Sequence, residues 1–253
     1  MRIVILQTDI VWADPVANVE RAEKILSKYD NTDLFVLPEM FSTGFCTKPD
    51  GIAEKNGGKT LEWMKSTAQT RKCAIAGSIA FEEKGCYYNR FYFVHPGGTV
   101  EWYDKKHLFT YGGEHKQFTA GNKRLVVNYK GVRFLLQICY DLRFPVWSRN
   151  RRDYDAAIYV ASWPTPRVDA WKLLLRARAV ENQCYVIGVN RVGKDPNCEY
   201  CGGSAVIDPY GKVMAECEDN KACEAVVDLD MSELEAFRLK FPVLNDADPF
   251  EIV

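Results

Sequence analysis

Short apolar and β-branched runs recur along this chain, with turn-forming residues between them. The runs at 2–7, 33–37, 73–80, 88–94, 99–103, 124–129, 132–138, 155–161, 184–190, 204–208 and 222–228 read as strands. Pro96-Gly97-Gly98 and Asp208-Pro209-Tyr210-Gly211 carry the residue types that hairpin turns need. Residues 134–138 and 156–161 are apolar almost throughout rather than alternating, so their strands require cover on both faces.

Between these runs the spacing turns helical. Asp14 is an N-cap with Pro15 in the first turn behind it, and Val19, Ala22, Leu26 and Tyr29 follow along one face. A second helix is expected over about 60–71, with Leu61, Met64 and Ala68 on one side, and a third over 168–182. A fourth is expected to begin near Ser232, three residues ahead of Glu235 in a capping-box pattern. Strands alternating with helices predict an α/β fold. No linker, low-complexity tract or repeat divides the sequence, so residues 1–253 are expected to form one domain.

Three strands run directly into residues with chemistry. Residues 33–37 lead into Pro38-Glu39, residues 100–103 into Asp104-Lys105, and residues 134–138 into Cys139-Tyr140-Asp141. Strand ends in α/β sheets open onto shared crevices, so the three can meet. Singly, each is ordinary: a core cysteine, a turn carboxylate, a surface lysine. Together they meet a chemical need. A thiol of ordinary pKa is mostly protonated at neutral pH, so as a nucleophile it needs a base and a neighbouring positive charge. A carboxylate and an ammonium supply both. The three histidines, His95, His107 and His115, suggest no Cys–His pair. His95, before the Pro96 turn, is expected to be exposed, and His107 either orients the site or serves the structure.

Composition narrows the partners. With 33 basic and 34 acidic residues the net charge is -1, which leaves no electrostatic footprint for nucleic acid or an anionic membrane. The apolar runs are too short to cross a bilayer. The 9 cysteines lack framework spacing and are expected as reduced thiols. Cys198 and Cys201 form a CxxC without the second pair that a zinc site needs, so they read as incidental residues of a loop. The N-terminus reads as a first strand rather than a signal peptide, and the expected location is the cytoplasm.

The segments 37–45 (LPEMFSTGF), 103–109 (YDKKHLF) and 138–145 (ICYDLRFP) resemble, in order, the three catalytic motifs of the nitrilase superfamily of carbon–nitrogen hydrolases. The likeness continues through 179–183, 190–193, 203–204 and 208–211 and so spans nearly the whole chain. Within that superfamily the chain is most similar to the bacterial ω-amidases of the YafV type, above all at 139–149 and 241–248. The resemblance implies a four-layer α-β-β-α sandwich and a homodimer. It implies Glu39 as general base, Lys105 as oxyanion stabiliser and Cys139 as nucleophile, with the Tyr140 N–H as a second oxyanion donor. The motif's lysine lies two residues before its histidine, which selects Lys105 over Lys106. Glu114, in 114–118 (EHKQF), is implied to hold Lys105 and to help position the amide, although Ala120 replaces a commonly found proline.

The ω-amidase branch implies a small-molecule substrate, the terminal amide of a short 2-oxo acid such as 2-oxoglutaramate or 2-oxosuccinamate, and no metal or organic cofactor. A guanidinium suits the far carboxylate of such a substrate. The motif position points to Arg143 rather than Arg149 or Arg167, with Phe45, Tyr111 and Trp163 as pocket walls. The rival readings are an amidase for another carboxylate-bearing amide, such as deaminated glutathione or a carbamoyl amino acid, and a non-catalytic module on the same fold. The signature of the last would be loss of a catalytic residue, and none is lost.

Overall fold

The computed structural model describes residues 1–251. From the N-terminus run β1 (Arg2–Gln7), α1 (Pro15–Leu26), β2 (Leu34–Val36), α2 (Lys59–Arg71), β3 (Ala74–Glu83), β4 (Cys86–Val94) and β5 (Val100–Asp104). Next come β6 (Val126–Tyr129), β7 (Val132–Ile138), α3 (Pro145–Ser148), β8 (Ala156–Ala161), α4 (Val168–Asn182) and β9 (Tyr185–Asn190). The chain continues through β10 (Val192–Lys194), β11 (Glu199–Cys201), β12 (Ala205–Ile207), β13 (Val213–Glu216), β14 (Cys223–Asp228) and α5 (Met231–Lys240).

Two 6-stranded sheets result, ordered β14-β1-β2-β3-β4-β5 and β13-β12-β9-β8-β7-β6. Each has parallel pairings at its centre, β1–β2–β3 in one and β7–β8–β9 in the other, with antiparallel strands outside. The sheets therefore repeat one pattern of strand directions, and β2 and β8 are equivalent strands within it.

The all-apolar strands explain the layering. On β1, Ile3 and Ile5 join Leu34, Val36, Leu136, Ile138, Ile158 and Ile187 in a core between the sheets. Their alternates Val4 and Leu6 face the other way and pack with Ala22, Leu26, Leu61 and Met64 of α1 and α2. On the second sheet Leu135, Ala157 and Val186 pack against Trp171 and Leu175 of α4. Strands buried on both faces, one toward a sheet and one toward helices, give the α-β-β-α order of layers.

Most elements lie where the spacing predicts them. The Asp14 carboxylate accepts from the Ala17 N–H at 3.0 Å and caps α1. The last helix is corrected by one cap. Asp230, not Ser232, is its N-cap and accepts from the N–H groups of Ser232 and Glu233, so Ser232 lies inside the helix. His95 is half-buried rather than exposed, bonded to Glu101 at 2.9 Å and packed on Phe93 and Tyr129. The CxxC is not a plain loop: Cys201 belongs to β11 and is buried, and Cys198 sits in the hairpin just before it. Among the described residues no helix is long and apolar enough to cross a membrane.

Candidate active site

The site lies where the two sheets face each other, at the ends of β2, β5 and β7. Glu39 follows β2, Lys105 follows β5 and Cys139 follows β7, so three segments distant in sequence deliver one group each. Cys139 has φ 45°, in the left-handed region that costs a residue with a Cβ about 1 kcal/mol or more. That turn breaks β7 sharply into the 3₁₀ turn Cys139–Arg143.

The buried Asp141 carboxylate holds the bend. One of its oxygens accepts from the Ile138 N–H at 3.0 Å and the Tyr103 hydroxyl at 2.8 Å. The other accepts from the His107 N–H at 3.0 Å and bonds the His107 Nδ1 at 2.8 Å. Three of these contacts tie the turn at Cys139 to the end of β5, which carries Lys105, and the fourth, from Ile138, closes the turn on its own strand. His107 belongs to this support and stacks on Phe144, with ring centroids 3.8 Å apart. Lys106 leans over the Trp147 ring instead of joining the carboxylates.

Glu39, Lys105 and Glu114 form one fully buried ionic cluster. The Lys105 ammonium donates to Glu39 Oε1 at 2.9 Å and to the two Glu114 oxygens at 3.2 and 3.0 Å. Glu114 Oε2 also accepts from the Phe109 N–H at 2.6 Å. Glu39 Oε2 accepts from the Ser162 N–H at 2.7 Å, just past β8. Asn89, on β4, donates from Nδ2 to Glu39 at 2.7 Å and to Glu114 at 3.3 Å.

Burial by itself disfavours the Lys105 ammonium, but Glu114 and then Glu39 more than offset this and hold its pKa above the usual lysine value. Burial raises the pKa of Glu114, and the charge of Glu39 adds to this while Lys105 opposes it. Burial raises the Cys139 thiol well above its ordinary value, and Glu39 adds to the rise while Lys105 counters it. Two carboxylates share one ammonium here, so a third anion is unwelcome. Burial and the two carboxylates therefore favour the neutral thiol of Cys139 over its thiolate.

These groups floor a cavity of about 460 Å³. Glu39, Lys105, Cys139, Tyr140, Arg143, Phe45, Tyr111 and Trp163 all line it, and Glu114 lies behind Lys105. The pocket residues differ in how they do so. Phe45 lies 5.2 Å from the Lys105 ammonium. Trp163 is 3% exposed and offers its face to the Arg143 guanidinium 4.9 Å away. Tyr111 is 87% exposed and marks the rim rather than a wall. Arg143 makes no ion pair among the described residues. Arg149 is spent elsewhere, on the carbonyl of Glu181.

Several residues of the site carry no sequence signal of their own. Arg167, passed over on motif grounds, lines the same cavity and lies over the rings of Phe109 and Tyr111. The β10–β11 hairpin adds Asp195, Asn197, Cys198 and Tyr200 to the mouth. Asn89 is brought to the site by the pairing of β4 with its neighbours, and Ser162 by the packing of one sheet on the other.

Comparison with known proteins gives a consistent picture. The family model described as Carbon-nitrogen hydrolase matches residues 2–239. Omega-amidase YafV of Escherichia coli strain K12 is 45% identical over 255 residues, which cover 100% of this chain and 98% of that protein. A 2-oxoglutaramate amidase of Bacillus subtilis is 36% identical, with 95% of each chain covered. Among solved structures, a CN-hydrolase superfamily protein of Xanthomonas campestris with an arsenic adduct in its active site superposes with a TM-score of 0.97 at 39% identity. That match covers 100% of this chain and 99% of the other.

Proposed function

This chain belongs to the carbon–nitrogen hydrolase family, and from that premise we propose that it is an ω-amidase that hydrolyses the terminal amide of short 2-oxo acid monoamides. One observation carries the substrate reading. Cys139 and Arg143 stand at the two ends of one 3₁₀ turn and line one cavity, and the guanidinium has no carboxylate partner among the described residues. A single rigid element then reads both ends of a substrate that has an amide at one end and a carboxylate at the other.

In this reading Glu39 Oε2 takes the Cys139 proton as the sulfur attacks the amide carbon. The Lys105 ammonium, held in place by Glu39 and Glu114, meets the developing oxyanion together with the Tyr140 N–H. A donor preorganised in this way typically contributes about 3–4 kcal/mol to the transition state. Glu39 returns the proton to the amide nitrogen, ammonia leaves and a thioester remains. Water then attacks the thioester with Glu39 as base, the carboxylic acid departs and the thiol is restored. Glu114 acts through Lys105, holding it and helping to orient the amide. The chemistry is complete with protein groups and water.

The test is ammonia release from 2-oxoglutaramate beside deaminated glutathione, asparagine and glutamine, in wild type and Arg143→Met. A charge-assisted hydrogen-bonded contact is worth about 1.5–3 kcal/mol, so Arg143→Met should raise KM for 2-oxoglutaramate by about 10- to 100-fold. Turnover of an uncharged short amide should change little. An unaltered KM would move the carboxylate site to another residue, and Arg167 would be tested next.

The same proposal includes a homodimer in the cytoplasm, a reducing compartment that suits a catalytic thiol and the other free cysteines. Leu173 and Val180 lie seven residues apart on the solvent face of α4, 68% and 52% exposed, and Tyr210, next to the Gly211 that packs on Val180, is 59% exposed. An apolar face of this kind suits a second copy of the chain. Leu173→Glu with Val180→Glu should convert a dimer to a monomer in light scattering after size exclusion. A wild-type monomer would end the dimer proposal.

A further inference from the structure

Asn89 lies outside the cavity, fully buried on β4, where its main chain faces Ala80 of β3 and its carbonyl accepts the Lys105 N–H at 3.0 Å. Among the described residues its side-chain amide is the one neutral donor that reaches both carboxylates of the cluster, Glu39 Oε1 at 2.7 Å and Glu114 Oε1 at 3.3 Å. The orientation is dictated by chemistry, since the opposite flip would turn a carbonyl oxygen toward two carboxylates.

The lone pairs of Glu39 can now be counted. Oε1 accepts from Lys105 at 2.9 Å and from Asn89, so both its in-plane acceptor positions are filled. Oε2 accepts only from the Ser162 N–H and keeps one position open. On Glu114, Oε1 is engaged by Asn89 and Lys105 as well. The two facing Oε1 atoms are therefore both held as acceptors, and neither carboxylate can carry a proton there to share with the other. The titratable groups that face Glu39 are Lys105 from the end of β5, Glu114 from the turn after it, and Cys139 from the end of β7.

We propose that Asn89 is a positioning residue that fixes Glu39 as a base acting through Oε2, by occupying Oε1 and keeping Glu39 and Glu114 from sharing a proton. It touches neither the substrate nor the reacting sulfur and acts through Glu39. The inference rests on the reading of Glu39 and Cys139 as base and nucleophile. Without the amide, the Glu39 anion loses a charge-assisted donor and binds a proton more tightly, and that proton has two oxygens to choose from.

The experiment compares wild type, Asn89→Leu, Asn89→Asp and Glu39→Gln on 2-oxoglutaramate across pH. Alkylation of Cys139 by iodoacetamide, located by peptide mass spectrometry, is the second readout. Asn89→Leu should move the acid limb of kcat up by about one pH unit and lower kcat at neutral pH about 10- to 100-fold. KM should change little. A purely structural role would lower the melting temperature and leave the limb in place. Asn89→Asp keeps the shape and decides the matter if the leucine variant does not fold. Aspartate donates only when protonated, so its rate relative to wild type should fall as pH rises. An acid limb and kcat unmoved in the folded Asn89→Leu protein, or a relative rate independent of pH in Asn89→Asp, would overturn the proposal. If Glu39→Gln itself leaves turnover and Cys139 alkylation unchanged, the base reading fails first, and the two failures are told apart.

Discussion

Cys139→Ala is expected to reduce ammonia release by about 10⁴-fold or more while the fold and its stability stay within about 1 kcal/mol of wild type. The two halves of this expectation have separate causes. Activity is lost because no other group in the cavity can form the acyl intermediate in the same place. Cys198 also lines the pocket, but it sits on the β10–β11 hairpin rather than beside Glu39 and Lys105. Stability is kept because the thiol contributes little to the fold. The sulfur is neutral at rest, half-buried, and set beside charges already satisfied by one another.

The backbone supplies an internal control. Alanine keeps the Cβ that is strained at φ 45°, whereas Cys139→Gly releases it, so the glycine variant should melt above the alanine one. Calorimetry of the two variants beside an ammonia assay checks both points. Near-wild-type turnover in Cys139→Ala would remove the nucleophile from the mechanism.

How much of this was legible in the chain follows from where each residue sits. Glu39, Lys105 and Cys139 stand at or just past the ends of strands, and strand ends can be read from one-dimensional pattern. Asn89 sits in the middle of β4, among Tyr88, Arg90 and Phe91, and nothing local marks it. Its place beside Glu39 follows from the pairing of β4 with β3 and β5, which is non-local information. Ser162 reaches Glu39 for the same kind of reason, since β2 and β8 are equivalent strands of facing sheets. Their likeness is one of strand direction and order, which leaves no repeat in the sequence.

The missed elements were those with weak periodicity. β13 reads Val-Met-Ala-Glu with every second residue exposed at a sheet edge, and β10 and β11 have three residues each around a polar turn. Short edge strands carry too few apolar positions to rise above loop composition. The cost of missing them was functional, because the β10–β11 hairpin forms one side of the cavity mouth.

Lys105→Met should abolish activity and also destabilise the protein, by about 3–5 kcal/mol at neutral pH, which separates it from the nucleophile variant. Among the described residues the ammonium is the only cation between Glu39 and Glu114, and all three side chains are withdrawn from solvent. Its removal leaves two carboxylates within reach of one Asn89 amide and no opposite charge. The Glu114 pKa is already raised in the wild type by burial and then by Glu39, with Lys105 opposing the rise. Without Lys105 it must rise further, so the folded variant binds a proton that the unfolded chain releases near its ordinary value. The sign follows by linkage: the variant is penalised least below the unfolded carboxyl pKa and progressively more as pH rises toward and through the folded one. Chemical denaturation of both proteins from pH 4.5 to 8 should therefore show the gap widening with pH. Lys105→Met combined with Glu114→Gln removes one of the two orphaned charges and should recover much of the lost stability at pH 8. Activity should not return with it, because the oxyanion still lacks its cation, a loss of about 10²–10³-fold by itself. A Lys105→Met protein as stable as wild type at pH 8 would mean that the carboxylates are not held apart by this ammonium. One retaining turnover within tenfold would take Lys105 out of the oxyanion site.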